Sequence, residues 1–122
     1  MAHMGIVMIV EDDAETASGL AEMLELLGYR SEVAGNGNVA LTRLRESPSK
    51  YCLVLLDIMM PVMDGWDFLT AQRADEALAK IPVVVVTAAV DASAKATDTG
   101  AVAVLPKPVD TVKLGTTVRQ YC

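Results

Sequence analysis

Four acidic residues, one hydroxyl and one amine stand at the ends of apolar runs in this chain. Glu11, Asp12 and Asp13 follow IVMIV, Asp57 ends VLLD, Thr87 ends VVVVT, and Lys107 follows AVLP. A carboxylate at the rim of a core loses hydration unless it is paired or used. Taken singly, each residue has an ordinary explanation: an acid after a strand caps the next helix, threonine is a good strand former, and a lysine before proline is a loop charge. Brought together, they have a different chemistry. Two carboxylates about 4 Å apart repel by roughly 4 kcal/mol at an effective dielectric near 20, so a cation is required. Hard oxygen ligands with no His or Cys beside them favour Mg²⁺, with Mn²⁺ as a substitute. Such an ion keeps several waters, one of which a phosphate oxygen can replace. Asp57 then serves as a nucleophile that forms an acyl phosphate. Lys107 supplies a point charge and Thr87 a hydroxyl hydrogen bond to the phosphoryl oxygens. Asp12 ligates the metal directly and Glu11 through water, Asp13 starts the following helix, and Ala88 leaves room for the incoming group. Phosphoryl transfer needs little more than this positioning and neutralisation.

The elements that must position these residues alternate along the chain. Ile6–Val10, Ser31–Ala34, Leu53–Leu56, Val83–Val86 and Ala101–Leu105 read as strands, mostly without polar alternation, as in strands covered on both faces. Between them, Ala14–Leu27 places Leu20, Met23, Leu24 and Leu27 on one stripe, with Gly28 as a C-terminal cap. Asn38–Arg45 follows a Gly-Asn-Gly turn, Trp66, Phe68 and Leu69 follow Asp64-Gly65, Asp91–Thr99 precedes Gly100, and Asp110–Tyr121 opens on a capping aspartate. Five β-α units predict an α/β fold, a doubly wound parallel sheet. Function then sits outside the carboxyl ends of the strands, where the chemistry-bearing residues stand. Strand two ends in Ala34-Gly35, offers no side-chain chemistry and suits an edge.

At 122 residues, 52% hydrophobic and 21% charged, the chain is one compact domain rather than a disordered segment. A net charge of −6 disfavours nucleic acid or anionic membrane as partners, since both would be repelled. Ile81–Val90, the longest apolar stretch, contains Pro82 and Thr87 and is too short to span a bilayer; a cytoplasmic protein is expected. Cys52 and Cys122 read as two thiols of a reducing compartment rather than a disulfide framework. Residues 1–3 of the opening Met-Ala-His-Met look like a cloning remnant, leaving residues 4–122 as the domain.

The segments IVEDD, LLDIMMPVMDG, VVVVTAA and LPKP together make a specific signature. With them, essentially all of residues 5–121 resembles the receiver domain of two-component response regulators. The resemblance implies a flavodoxin-like (βα)5 sheet with strand order 2-1-3-4-5. It implies that Asp57 accepts a phosphoryl group from a sensor histidine kinase or a histidine phosphotransfer protein. It also implies that Mg²⁺ is held by Asp12, Asp57 and the backbone carbonyl of Met59, and that the Lys107-Pro108 peptide is cis. The domain would not be a classical enzyme, although it catalyses its own phosphorylation and dephosphorylation. Dimerisation through the fourth helix, fifth strand and fifth helix is a habit of the family.

This chain departs from the common pattern at Val104, where many relatives carry an aromatic residue that rotates on phosphorylation. Output would then rely on displacement of the loop after Thr87 and the fourth helix, or on a subtler repacking; that helix, DASAKATDTG, is polar and expected to be the least stable. Met59 and Ala89 border the path of attacking water and carry no group to orient it, so slow intrinsic dephosphorylation is expected. Trp66 is close enough in sequence to Asp57 to report on the site, or it simply anchors helix three. Other readings fit less well. A flavin protein would need Ser, Thr or Gly amides where Glu11-Asp12-Asp13 stand, and an aspartyl phosphatase would need an acid at Met59. The Gly-rich Lys-Ser/Thr loop of a P-loop hydrolase is absent from the sequence. A receiver-like scaffold that takes no phosphoryl group is the alternative.

Overall fold

The computed structural model describes residues 5–60, 63–88 and 92–122. The expectations placed on residues 1–3, Ala89 and Asp91 lie outside the described residues. The elements run β1 (Ile6–Val10), α1 (Ala14–Leu26), β2 (Arg30–Ala34), α2 (Gly37–Glu46), β3 (Tyr51–Asp57), α3 (Gly65–Ala74), β4 (Val83–Thr87), α4 (Ala92–Thr99), β5 (Ala103–Pro106) and α5 (Thr111–Tyr121), with a 3₁₀ turn at Pro48–Lys50. All strand pairs are parallel, and the order across the sheet is β2-β1-β3-β4-β5.

Alternation along buried strands sorts the core into two halves. Met8, Val10, Val54, Leu56, Val83 and Val85 face α2, α3 and α4, meeting Leu41, Leu44, Phe68, Leu69 and Ala96. Val7, Ile9, Leu53, Leu55, Val84 and Val86 face α1 and α5, meeting Leu20, Leu24, Leu114 and Val118. Edge strand β2 departs from the expected double cover, since Arg30 and Val33 are exposed and only Ala34 is fully buried.

The entrances of α1, α2, α3 and α5 are capped by the residue type their position demands. The side chains of Asp13, Asn36, Asp64 and Asp110 accept backbone N–H groups of α1, α2, α3 and α5. Leu27 closes α1 and Gly28 follows with φ +90°, the left-handed conformation that glycine adopts without a Cβ penalty. β3 is longer than the expected Leu53–Leu56, because Tyr51 pairs with Ile6 and Asp57 with Val86. β5 starts later than Ala101, because the Ala101 N–H closes α4 on the Ala96 carbonyl.

One expectation is overturned. Cys52 and Cys122 are not free thiols: their sulfurs are bonded, joining the start of β3 to the end of α5 across 70 positions of sequence. The physical reason is the winding itself. α5 returns over the sheet against Leu53 and Leu55, so its last residue arrives beside the amino end of the central strand, with the Cα atoms 5.3 Å apart. Among the described residues, no helix is long and apolar enough to cross a membrane.

Candidate functional site

The carboxyl ends of β1, β3, β4 and β5 converge on one edge of the sheet. The Glu11 N–H donates to the Ala34 carbonyl, which extends the β1–β2 ladder by one residue and carries Glu11 inward, to 3% exposure. Asp12 is exposed, and Asp13 leaves the strand as the N-cap of α1, as expected, accepting the Thr16 N–H at 3.0 Å. Asp57 is the last residue of β3 and is buried, at 6% exposure. Thr87 is buried at the end of β4, and its carbonyl accepts the Lys107 N–H, which ties the β4 and β5 ends together. Ala88 is exposed beyond it.

Glu11, Asp12 and Asp57 each offer a carboxylate oxygen, all within 4.8 Å of one another. Lys107 reaches in from the other side, with its ammonium 3.0 Å from Glu11 Oε1 and 3.4 Å from Asp57 Oδ1. The Lys107-Pro108 peptide is cis. Asp57 Oδ1 also accepts the Met59 N–H at 3.2 Å, so the carboxylate is held both by its own turn and by a lysine from another strand. The turn into α3 is tight: the Gly65 N–H donates to the Ile58 carbonyl, and a Cβ at Gly65 would lie 2.7 Å from Ile58 Cα.

The electrostatics follow from crowding. Burial pushes the Glu11 carboxyl above its usual range and contact with Asp57 adds to the rise, while Lys107 and the Asp13 amide oppose it. Burial alone would depress the Lys107 ammonium. Its hydrogen bond to Glu11 and the charges of Asp57 and Glu11 outweigh that, so its pKa is raised and the amine stays charged. One amine thus faces three acids, and the donor set is hard oxygen throughout, which fits a divalent cation of the magnesium class.

Beside the acids lies an open cavity of about 560 Å³, lined by Asp12, Ile58, Met59, Met60, Asp64 and Trp66. The Met59 side chain is 76% exposed there. Trp66 lines this cavity and packs against the core beneath α3. The nearer partner of Lys107 is Glu11, a contact the sequence reading did not include.

Comparison with known proteins gives a consistent picture. Residues 7–119 match the family described as Response regulator receiver domain. A curated relative, the transcriptional regulatory protein CpxR homolog of Haemophilus influenzae, is 41% identical over 85 residues, covering 70% of this chain and 35% of that protein. The chain spans between a quarter and a half of the length of the curated relatives it matches. Among solved structures, the chemotaxis protein CheY4 of Vibrio cholerae superimposes with a TM-score of 0.87 at 25% identity, covering 98% of this chain and 100% of that one. The signal receiver domain of a signal transduction histidine kinase from Syntrophus aciditrophicus gives 0.86 at 30% identity, covering 96% and 89%.

Proposed function

Since the chain belongs to the response regulator receiver domain family of two-component systems, we propose that Asp57 is its phosphoryl acceptor and that Glu11, Asp12, Thr87 and Lys107 complete the site. The observation that carries this reading is the convergence of Asp57 with two further acids and one lysine, drawn from three strand ends, on a single edge of the sheet.

In this reading a phosphohistidine on a sensor kinase or a phosphotransfer protein presents its phosphorus to an Asp57 carboxylate oxygen. The P–O bond forms as the P–N bond breaks, and the imidazole leaves with its electron pair. Asp12, Asp57 and the Met59 backbone carbonyl would hold Mg²⁺, with the Glu11 carboxylate beside them, and Mn²⁺ would substitute. When bound, the ion neutralises charge on the phosphoryl oxygens. Lys107 moves from its carboxylate partners to a phosphoryl oxygen, and the Thr87 hydroxyl donates to another. The site catalyses its own modification and does not turn over an external substrate as a classical enzyme does. Receiver domains are phosphoryl-accepting signalling domains, and here the accepted charge acts on the α4–β5–α5 side of the fold.

The test is to treat the protein with acetyl phosphate and Mg²⁺ and record intact mass. Wild type gains one phosphoryl group, and Asp57→Asn gains none. A wild-type mass that stays unchanged under these conditions rejects the acceptor role and favours the scaffold alternative.

A further inference from the structure

Helix α4 has little to hold it. Among its described side chains Ala96 alone is fully buried, and Ala94, Lys95, Thr97 and Asp98 face solvent. Beyond the packing of Ala96 with Phe68 and Leu69, the described residues show one contact with α3 near each end. At the far end, Gly100 (φ +111°) lies against the Arg73 side chain so closely that a Cβ would come within 2.8 Å of Cδ and Nε. At the end nearest the acids, in the first turn of α4, the Lys95 ammonium sits 4.4 Å from the centroid of the Trp66 ring. Trp66 is the second residue of α3 and lines the cavity that also contains Asp12 and Met59. One aromatic ring therefore touches both the acceptor cavity and the weakly packed helix. Val104, where an aromatic toggle would stand, offers no such ring.

We propose that Lys95 and Trp66 form a latch that holds the site-facing end of α4 in the unmodified protein and opens on phosphorylation. The inference rests on Asp57 being the acceptor and adds the physical link from that residue to α4. A cation over an aromatic face at a partly exposed position biases an equilibrium by about two- to fivefold. That is enough to favour one placement of α4 and small enough for a nearby charge to override. The arriving phosphoryl group brings about −1.5 to −2 charges to the edge of the cavity and competes with the ring for the ammonium. With the Arg73–Gly100 packing retained, α4 then pivots from its far end. Lys95 is a positioning residue in this scheme and Trp66 is the relay.

The test compares wild type, Lys95→Met, which keeps length but loses charge, and Lys95→Arg, which keeps the cation. Hydrogen exchange of residues 92–99 is followed in unmodified protein. Fluorescence of Trp66, the only tryptophan, is followed as Mg²⁺ and beryllium fluoride are added as an acyl-phosphate mimic. Lys95→Met is expected to speed exchange in 92–99 by about two- to fivefold and to lose at least half of the fluorescence change. Lys95→Arg retains both wild-type values. If either quantity in Lys95→Met equals that of wild type, the latch is rejected. Acetyl phosphate labelling of the same samples separates the two ideas, because phosphorylated protein with an unaltered α4 defeats only the latch, whereas wild type that takes no phosphoryl group defeats the acceptor assignment.

Discussion

Lys107 decides how three acids coexist at one edge. Its ammonium spans Glu11 and Asp57, so replacing it leaves two buried carboxylates without their cation and removes the donor that the proposed transfer uses. Lys107→Met is expected to slow phosphoryl gain from acetyl phosphate roughly a hundredfold, read from the time course of intact mass, while Lys113→Met on the exposed face of α5 leaves it unchanged. The identities at this scale were legible in the sequence because each site residue directly follows, or closes, an apolar run. Their division of labour was not. Glu11, Asp12 and Asp13 are one acidic string in sequence, yet Glu11 turns inward, Asp12 stays exposed and Asp13 caps a helix. The Ala34 carbonyl makes that choice by extending the ladder one residue, and only the paired strand supplies it.

At the scale of elements, the loop from β3 into α3 sets how near the helix comes to Asp57. Gly65 is required by close approach, since an added Cβ would lie 2.6 Å from Ile58 Cδ1 and 3.0 Å from the Asp57 carbonyl. Gly65→Ala is expected to cost about 1–3 kcal/mol of stability by pushing α3 off the strand end, measured by urea unfolding. Gly19→Ala, with nothing near its Cβ and a helical position, serves as the control and is neutral or stabilising. Helix starts were legible because Asp and Asn caps are local chemistry. Strand ends were read less well: Tyr51 joins β3 by pairing with Ile6, Cys52 stands where the register then shifts, and nothing local distinguishes them from the turn before. The polar α4 segment matches a helix in which Ala96 alone is fully buried among the described side chains, but its contact with Trp66 joins residues far apart in sequence.

Over the whole molecule, the Cys52–Cys122 bond closes a loop of 70 positions between the central strand and the last helix. Restricting the unfolded chain this way contributes about 4 kcal/mol in the loop-entropy account. Reduction by dithiothreitol is therefore expected to lower Tm by roughly 10 °C or more, and Cys122→Ser to match the reduced protein and ignore the reductant, both followed by thermal circular dichroism. Spacing could not reveal this pair, although topology could have: in a doubly wound sheet the start of a strand and the end of a packed helix share one edge. The other edge has a history as well as a geometry. Glu11, Asp12 and Asp57 leave the ribosome well before Lys107, which comes only with the fifth strand. A nascent chain thus gathers its negative charges ahead of the amine that balances them, so the half-made sheet resists closing at that corner and the final strand to emerge is the one that lets it settle.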